Sequence, residues 1–294
     1  MSRRLCGVLL LDKPVGLSSN SALQRVRRLL GADKAGHVGS LDPLATGMLP
    51  ICLGEATKVA GEILSGRKRY RFTIGLGART ATGDAEGAIV ETAPVPALEP
   101  LPLDSILQRF RGPQEQVPPM YSAIKSGGQP LYKLARSGVE VPRAPRRIEI
   151  FELSVRARLP SSLELEALCS KGTYIRSLAE DIARALGTCG HVTALRRLYV
   201  EPFEHEPMQT LEAIAGVSAA EPVRGLLPPD QPLGHLPAVH LDRGDTARIL
   251  HGQTVPGGVT AGTVRLYDEA GEFLGIGAAD GSGAVRPRRL FVRD

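Results

Sequence analysis

The residue best suited to chemistry is a single carboxylate, Asp42, in a segment rich in glycine and proline (residues 32–54). Pro43 restricts Asp42 to extended backbone conformations, and the flanking Gly39 and Gly47 allow tight turns and the close approach of a ligand. A carboxylate in such apolar, constrained surroundings is a candidate catalytic group. The alternative is an Asx turn, in which the Asp side chain hydrogen-bonds nearby backbone. Spacing alone leaves both interpretations open.

Side chains that could hold a metal or a cofactor are not grouped in the sequence. The four cysteines form no Cys-x-x-Cys pair, and Cys189 with His191 lacks a second ligand pair, so we expect no metal site. The sequence contains neither a P-loop nor a Gly-x-Gly-x-x-Gly string, so we expect no cofactor. A zinc-dependent base deaminase is excluded, because its His-x-Glu and Cys-x-x-Cys strings are missing.

Positive charge is concentrated in two segments of a chain whose formal net charge is +5. Residues 113–147 contain six Lys or Arg against two Glu, a local net charge of +4, and residues 66–71 contain four basic residues and no acid. The six are Lys125, Lys133, Arg136, Arg143, Arg146 and Arg147. Such clusters can neutralise nucleic-acid phosphates, although charge alone fits a solvated surface equally well.

The elements before Asp42 are predicted from hydrophobic periodicity. An apolar run at residues 7–11 indicates a buried strand. Ser21 with Gln24 forms a capping box for a helix that Gly31 ends. Residues 32–54 show no sustained period, so we expect them to be largely loop.

The elements after Asp42 include a strand that carries an aromatic residue. Tyr70, Phe72 and Ile74 alternate with polar residues, which is typical of a half-buried strand. The other predicted elements are helices near residues 55–64, 131–136 and 175–186 and strands near residues 148–155, 163–169 and 191–200.

The length of 294 residues predicts one large domain and one small one. The chain becomes rich in proline between residues 204 and 237, so we place domains at residues 1–234 and 235–294, the second with a β-hairpin. The scattered cysteines and the lack of an export signal favour reduced thiols in the cytoplasm. No apolar stretch approaches the ~18 residues of a membrane span, so we expect no membrane partner.

Beyond these patterns, the string His-Val-Gly-Ser-Leu-Asp-Pro-Leu-Ala-Thr-Gly at residues 37–47 resembles the catalytic motif of the TruB family, the bacterial-type tRNA pseudouridine synthases. Other similar strings follow in family order over about residues 7–200. They are Leu-Asp-Lys-Pro at 11–14, Leu-Gly-Glu-Ala-Thr-Lys at 53–58, Lys-Arg-Tyr at 68–70, Gln-Val-Pro-Pro-Met-Tyr-Ser-Ala at 116–123 and Lys-Gly-Thr-Tyr-Ile-Arg-Ser-Leu at 171–178.

The resemblance implies an α+β fold: a mixed, largely antiparallel sheet of the pseudouridine synthase fold with flanking helices, plus a small C-terminal all-β PUA-like domain. Residues 113–147 would be the family's thumb-like insertion, which grips the T-arm of tRNA. The implied activity is that of an isomerase. It converts a uridine in the T-loop (TΨC arm, position 55) to pseudouridine by cleaving the C1′–N1 bond, rotating the base and re-attaching it through C5. The implied enzyme is a monomer that binds tRNA without a guide RNA.

The resemblance also implies roles for three catalytic residues. Asp42 would act on the ribose as nucleophile or as base, and the sequence does not choose between these routes. Arg176 would pair with Asp42 and keep the pKa of its carboxyl low. Because cations are disfavoured at a helix N-terminus, a specific partner explains Arg176 better than a surface position does. Tyr70 would stack on the flipped-out base and assist proton removal at C5, or it could simply pack in the apolar strand face.

Further residues are implied to contact the substrate. His37 would contact RNA around the flipped base, and Tyr174 would line the pocket beside Arg176. Leu195 would be a pocket wall, although a core leucine is a comparable interpretation, and Lys13 and Lys58 are either phosphate-binding or structural. The RNA-binding candidates of the thumb are Lys125, Arg143, Arg146 and Arg147.

Two other functions remain as alternatives. A tRNA-folding chaperone could use the same RNA-binding surface, but a pure binder needs no set like Asp42, Tyr70 and Arg176. A guide-dependent synthase is disfavoured by the thumb-like insertion. One departure from the family is Ala81, where an Asp is usual, and we expect it to alter a turn or an RNA-side hydrogen bond while leaving the catalytic set intact.

Overall fold

The computed structural model describes residues 5–99, 101–216 and 222–291. Its strands up to residue 227 are β1 (Gly7–Lys13), β2 (Ala35–His37), β3 (Thr46–Leu53), β4 (Lys68–Leu76), β5 (Ala78–Thr80), β6 (Ile89–Thr92), β7 (Gly112–Gln116), β8 (Lys125–Ser126), β9 (Gln129–Pro130), β10 (Arg146–Leu159), β11 (Ser162–Cys169), β12 (Gly190–Val200) and β13 (Leu226–Leu227). The helices there are α1 (Ser19–Leu30), α2 (Ala60–Ser65), α3 (Leu103–Gln108), α4 (Leu131–Arg136), α5 (Ile175–Ala185) and α6 (Leu211–Ala215), with a 3-10 helix at Gly54–Val59.

Within these described ranges, nine strands form the central sheet in the order β13-β1-β3-β12-β4-β11-β10-β7, with β2 added to β3. The neighbouring strands are antiparallel except for β3 and β12, which run parallel where Arg196 and Arg197 lie beside Thr46 and Gly47. This parallel contact brings the C-terminal part of β12 against the strand that follows Asp42. The expected mixed, largely antiparallel sheet with flanking helices is confirmed.

One face of the sheet carries the core. Tyr70, Phe72 and Ile74 alternate into it along β4, with exposed fractions of 8%, 1% and 0%. The apolar side of α5, which includes Leu178 and Ile182, packs into the same core. Burying apolar surface on one face of an amphipathic helix and one face of a strand is the dominant stabilising contribution. The predicted half-buried strand is therefore present, and its first residues lie near the loop that holds Asp42, since Arg197 contacts both Tyr70 and Gly39.

Two local predictions differ from the structure. Residues 32–54 contain β2 and β3, so the irregular parts of this range are residues 32–34 and 38–45. The strand β3 escaped notice because both its faces are buried, which removes the polar–apolar alternation, and because Pro50 suggests a break. The helix α1 is capped by Ser18 and not by Ser21; the Ser18 hydroxyl accepts a hydrogen bond from the Ser21 backbone N–H at 3.1 Å.

The C-terminal module follows a 3-10 helix at Gln231–Leu233. It comprises β14 (Ala238–His240), α7 (Arg243–Leu250), β15 (Val255–Pro256), β16 (Gly262–Tyr267), β17 (Phe273–Ala279) and β18 (Ala284–Leu290). These strands form a second sheet in the order β14-β16-β17-β18-β15. The module has its own core, in which Leu266, Leu274 and Val285 are fully buried.

The module packs directly on the N-terminal part of the chain. Val59 of the first 3-10 helix lies in one apolar cluster with Leu233, Ile276 and Phe291. The Lys58 ammonium next to it donates a hydrogen bond to the Leu290 carbonyl at 2.6 Å. None of the described helices is long and apolar enough to cross a membrane.

Candidate active site

The loop at residues 38–45 (the catalytic loop) is fixed from both sides. The buried Ser19 hydroxyl, in the first turn of α1, accepts a hydrogen bond from the Leu41 N–H at 2.7 Å and lies 2.9 Å from the Leu41 carbonyl, to which it donates. Val38 N–H donates to the Pro50 carbonyl at 2.9 Å, and Ala45 N–H donates to the Asp42 carbonyl at 3.0 Å. These bonds set the backbone of Asp42, so its carboxylate has a defined direction.

That carboxylate meets the guanidinium of Arg176, the second residue of α5. The Arg176 Nε lies 3.0 Å from Asp42 Oδ2. Arg176 is 5% exposed, and its two terminal nitrogens donate to the carbonyls of Thr82 and Tyr121, each at 2.7 Å. A guanidinium with all three nitrogens engaged cannot rotate freely. The structure therefore brings Asp42 and Arg176 together as a rigid ion pair.

A second carboxylate, Asp84, lies 3.8 Å from the same Nε of Arg176. Asp84 is 3% exposed and accepts hydrogen bonds from the Thr82 hydroxyl at 2.5 Å and the Glu86 N–H at 3.1 Å. Sequence reasoning missed Asp84. The signal was present, because Asp84 closes the same short turn in which Ala81 departs from the family pattern.

The pKa of Asp42 is shifted upward. Burial raises the pKa of Asp42, the charge of Arg176 lowers it, and the nearby carboxylate of Asp84 raises it again. The net direction is opposite to the low pKa that we expected from the ion pair alone, because desolvation outweighs the attraction to Arg176. The side chain is still 40% exposed, so the carboxylate faces an opening through which a substrate can reach it.

Tyr70 is the third residue of β4, and its ring is buried in the core. Burial raises the pKa of the Tyr70 phenol, while the positive charge of Arg197 lowers it and the charge of Asp42 raises it. Arg197 links this phenol to the catalytic loop, because its Nη2 donates to the Gly39 carbonyl at 2.8 Å. The Tyr70 hydroxyl accepts a hydrogen bond from Arg197 Nη1 at 3.4 Å. Tyr70 thus packs in the strand face and borders the site, so both roles considered from the sequence are compatible with its position.

Tyr174 is the residue before α5 and is tied to the base of the thumb. Its backbone N–H donates to Gln116 Oε1 at 2.7 Å, and its carbonyl accepts from Gln116 Nε2 at 3.0 Å. Burial raises the pKa of the Tyr174 phenol. Since Arg176 also holds the carbonyl of Tyr121, the start of the thumb and the start of α5 are joined at the site.

His37 and Leu195 lie around the catalytic loop. Burial, with the nearby charge of Arg197, lowers the pKa of His37, and its Nδ1 is buried without a hydrogen-bond partner in the described structure. Leu195 is 9% exposed. It opens onto a cleft of about 380 Å³, which is also bordered by Leu44 and Phe72. The leucine is therefore a core residue and a wall of this cleft, which Asp42, Tyr70 and Arg176 do not line, so its place in the substrate pocket stays a prediction.

The ammonium groups of Lys13 and Lys58 contact other parts of the protein. The Lys13 side chain is 0% exposed, and its ammonium lies 2.9, 2.6 and 3.3 Å from the carbonyls of Pro14, Leu17 and Pro43. Burial lowers the pKa of Lys13 to about 8. Lys58 contacts Glu55 and the carbonyl of Leu290. Of the two roles considered for these lysines, the structure favours holding the fold over binding phosphate.

The basic segment 113–147 begins and ends in the central sheet. Its first residues belong to β7 and its last to β10, and those two strands pair with each other. The projecting part carries the β8–β9 hairpin and α4. Lys125, Arg146 and Arg147 are exposed, whereas Arg143 is partly covered and pairs with Glu140 at 3.2 Å. In the described part of the chain, no group of three or more metal-ligating side chains is found.

The architecture corresponds to that of solved pseudouridine synthases. The chain is similar to one in the crystal structure of a Cbf5–Nop10–Gar1 complex, with a TM-score of 0.71 at 25% identity. The match covers 98% of this chain and 84% of the solved one. A chain in the crystal structure of the archaeal box H/ACA sRNP Nop10–Cbf5 complex has the same fold, with a TM-score of 0.72 at 24% identity. That match covers 98% of this chain and 87% of the solved one. The fold is thus that of the pseudouridine synthases.

Family comparison narrows the class. Residues 27–175 match the model of the TruB family pseudouridylate synthase N-terminal domain. Residues 176–231 match the tRNA pseudouridylate synthase B C-terminal domain, and residues 237–291 match the model "Pseudouridine synthase II TruB, C-terminal". The chain belongs to the TruB family, as the resemblance in its motifs predicted, and it is a tRNA pseudouridine synthase, an isomerase.

Curated relatives cover nearly the whole chain. It is 50% identical over 289 residues to tRNA pseudouridine synthase B of Chromohalobacter salexigens, covering 97% of this chain and 94% of the relative. It is 50% identical over 289 residues to the protein of the same name from Aromatoleum aromaticum, covering 97% of this chain and 92% of the relative. It is 48% identical over 295 residues to the tRNA pseudouridine synthase B of Stutzerimonas stutzeri, covering 98% of this chain and 96% of the relative.

Proposed function

We propose that this enzyme isomerises the uridine at position 55, in the T-loop of tRNA, to pseudouridine, with Asp42 as the catalytic carboxylate. The observation that carries the proposal is the ion pair of Asp42 with the buried Arg176, which leaves the Asp42 side chain 40% exposed. A carboxylate that is oriented by a rigid cation and reached from one side can act on a ribose C1′ without a second acid. A glycosidase needs that second group to activate water, but here the base must be retained.

In the proposed reaction the uridine leaves its stack, and its ribose is placed at the exposed side of the Asp42 carboxylate. As the C1′–N1 bond breaks and its electron pair stays on N1, Asp42 either bonds to C1′ as a nucleophile or removes the C2′ proton as a base. The base then turns and C5 bonds to C1′, while the Asp42–C1′ bond breaks in the first route or Asp42 returns the proton to C2′ in the second. Arg176 keeps the carboxylate in line throughout. Tyr174 and Leu195 cover the base and limit the access of water.

Tyr70 is proposed to complete the reaction. After the new bond forms, C5 carries both its hydrogen and the ribose, and N1 is doubly bonded to C6. The ionised Tyr70 oxygen removes the proton from C5, the C5–H electron pair forms the C5–C6 double bond, and N1 takes up a proton. Because burial raises the pKa of Tyr70, we expect this last step to become faster as the pH rises towards that pKa.

The thumb and the C-terminal module are proposed to bind the tRNA. The exposed Lys125, Arg146 and Arg147, with Arg143, would neutralise phosphates of the T-arm and set the register of the RNA. The hydrogen bonds of the thumb base with Tyr174 and Arg176 would couple this binding to the site. We propose that the enzyme works as a monomer, without a guide RNA and in the cytoplasm. We retain residues 1–234 and 235–294 as the domains.

The proposal is tested with Asp42→Asn, which keeps the shape of the side chain and removes its charge. Turnover is followed by tritium release from tRNA labelled at uridine C5, and tRNA affinity is measured in parallel. We expect release to stop while the dissociation constant changes by less than about threefold. The control is Asp181→Asn on the outer side of α5, where the Asp pairs with Arg184, and we expect it to behave like the wild type.

Either of two results would reject the proposal. Tritium release by Asp42→Asn near the wild-type rate would mean that another group performs the reaction. Normal folding of tRNA by a wild-type enzyme that releases no tritium would favour the chaperone alternative.

A further inference from the structure

Arg197 is an unusual residue of the core, because it is a charged side chain with only 1% of its surface exposed. It lies on β12 in the register position opposite Tyr70. Its Nε donates to the Met48 carbonyl at 2.7 Å and its Nη2 donates to the Gly39 carbonyl at 2.8 Å. Its Nη1 donates to the Tyr70 hydroxyl at 3.4 Å. Among the residues that the structure describes, the acceptors of this guanidinium are two carbonyls and a phenol, and no carboxylate pairs with it.

The catalytic loop and the start of β3, which follows it, both pack closely on this one residue. Gly39, in the loop, has a φ of +69°, and a Cβ placed there would lie 3.2 Å from Arg197 Nη1. Gly47, the second residue of β3, has a φ of +97°, and a Cβ there would collide with the Arg197 carbonyl. Only glycine combines these backbone angles with such close approach. The two glycines thus let the loop that carries Asp42 close over the Arg197 side chain and backbone.

A buried cation without a carboxylate partner is costly for stability. Its field acts instead on the groups around the site. The charge of Arg197 lowers the pKa of His37 and opposes the effect of burial on the pKa of Tyr70. Moreover, a phenol oxygen that accepts a hydrogen bond from Arg197 has its own O–H directed elsewhere. One side chain thereby fixes the loop, the tyrosine and the direction of its hydroxyl.

We propose that Arg197 is a positioning residue for the isomerisation. It fixes the positions of Asp42 and the Tyr70 hydroxyl relative to each other, and it favours proton removal from C5. It touches neither the ribose nor the base and acts through Tyr70 and the catalytic loop. This inference rests on the proposed function, since it assigns Arg197 to the step performed by Tyr70.

The test uses Arg197→Gln, which removes the charge but keeps N–H donors, and Arg197→Lys, which keeps the charge. Single-turnover rates are measured on tRNA carrying hydrogen or deuterium at uridine C5, across pH, with RNA affinity and the unfolding temperature alongside. We expect Arg197→Gln to be slower by about 10- to 100-fold, the effect of losing a charge-assisted hydrogen bond, with RNA affinity within about twofold. Deuterium should slow this variant markedly, and its rate should rise with pH over a higher range than in the wild type. The rate, the deuterium effect and the pH profile of Arg197→Lys should lie between those of Arg197→Gln and the wild type.

The matched control is Arg69→Lys. Arg69 is the neighbour of Tyr70 on β4, but it donates to a different phenol, that of Tyr199, at 3.1 Å and pairs with Glu166 at 3.0 Å. This variant disturbs an arginine–tyrosine contact outside the site. We expect its pH profile and its response to deuterium to match the wild type.

The inference is overturned if Arg197→Gln loses activity only in proportion to lost folded protein, with no deuterium effect and an unshifted pH profile. It is also overturned if Arg197→Gln and Tyr70→Phe slow the reaction multiplicatively when combined, since residues that act together give less than the product. If neither Arg197 variant folds, Gly39→Ala replaces them. Its Cβ would press on Arg197 Nη1, and the same deuterium effect must appear or the inference fails.

Failure of the proposed function gives a different pattern. Unimpaired turnover by Tyr70→Phe, or by Asp42→Asn, would remove the step that Arg197 is said to assist, whatever the Arg197 variants do. A slow Tyr70→Phe with an indifferent Arg197→Gln would reject the role of Arg197 alone.

Discussion

The substitution Arg176→Lys separates the charge of the cation beside Asp42 from its shape. Arg176 makes one contact with Asp42 at 3.0 Å and one with each of the carbonyls of Thr82 and Tyr121 at 2.7 Å. A lysine ammonium is a compact charge without the planar fork of arginine, so it cannot keep all three contacts. The carboxylate would remain paired but lose its fixed direction.

The size of the effect follows from the lost contacts. A hydrogen bond to a charged group contributes about 1.5–3 kcal/mol, and Arg176→Lys gives up two of them. Because the Asp42 side chain is 40% exposed, water compensates part of the loss, and we take about 3 kcal/mol as the effect on the reaction barrier. At 1.36 kcal/mol for each factor of ten, kcat should fall by about 100-fold.

The assay is single-turnover tritium release with enzyme in excess, together with the dissociation constant for tRNA. We expect the loss to appear in the rate, with affinity within about threefold of the wild type. Arg184→Lys, on the exposed side of the same helix, is the matched control and should be fully active. A rate within twofold of the wild type for Arg176→Lys, or a loss confined to binding, would refute the reasoning.

The remaining predictions concern the second carboxylate, the thumb and the packing of the C-terminal module. Asp84→Asn removes a charge that raises the pKa of Asp42. Since Asp42 acts ionised and activity is lost as the pH falls through its pKa, the acid limb of the pH–rate profile should move to lower pH; an unmoved limb would contradict this. Reversing the charges of Arg143, Arg146 and Arg147 should weaken tRNA binding and reduce the slope of log affinity against log salt by about two or more. An unchanged slope would show that the thumb does not bind phosphates. Lys58→Met removes the hydrogen bond to the Leu290 carbonyl and should lower stability by about 1–2 kcal/mol, measured by urea unfolding; stability equal to the wild type would show that the contact contributes nothing.

Local patterns in the sequence predicted the elements that position the site. The alternation at Tyr70, Phe72 and Ile74 predicted β4, and α4 and α5 lie where apolar periodicity placed them. These signals are local, because a strand or helix face repeats every two or 3.6 residues. The family motif around Asp42 predicted its pairing with Arg176 across more than a hundred residues, which no periodicity could do.

Other features depend on contacts between distant segments and escaped prediction. Asp84 reaches Arg176 only because a turn after β5 folds over the start of α5, and Arg197 reaches Gly39 through the parallel pairing of β12 with β3. A signal for Arg197 did exist, since it is in phase with Leu195 on the apolar side of β12. The direction of the Asp42 pKa depends on the sum of burial and three nearby charges, which an ion pair inferred from a motif does not reveal.

The most direct test of the central claim is to map pseudouridine at single-nucleotide resolution. An unmodified tRNA transcript is incubated with the wild-type enzyme or with Asp42→Asn, treated with a carbodiimide and read by reverse transcription. We predict one modified position with the wild type, the T-loop uridine at position 55, and none with Asp42→Asn. Modification at another uridine by the wild type, or at position 55 by Asp42→Asn, would contradict the account.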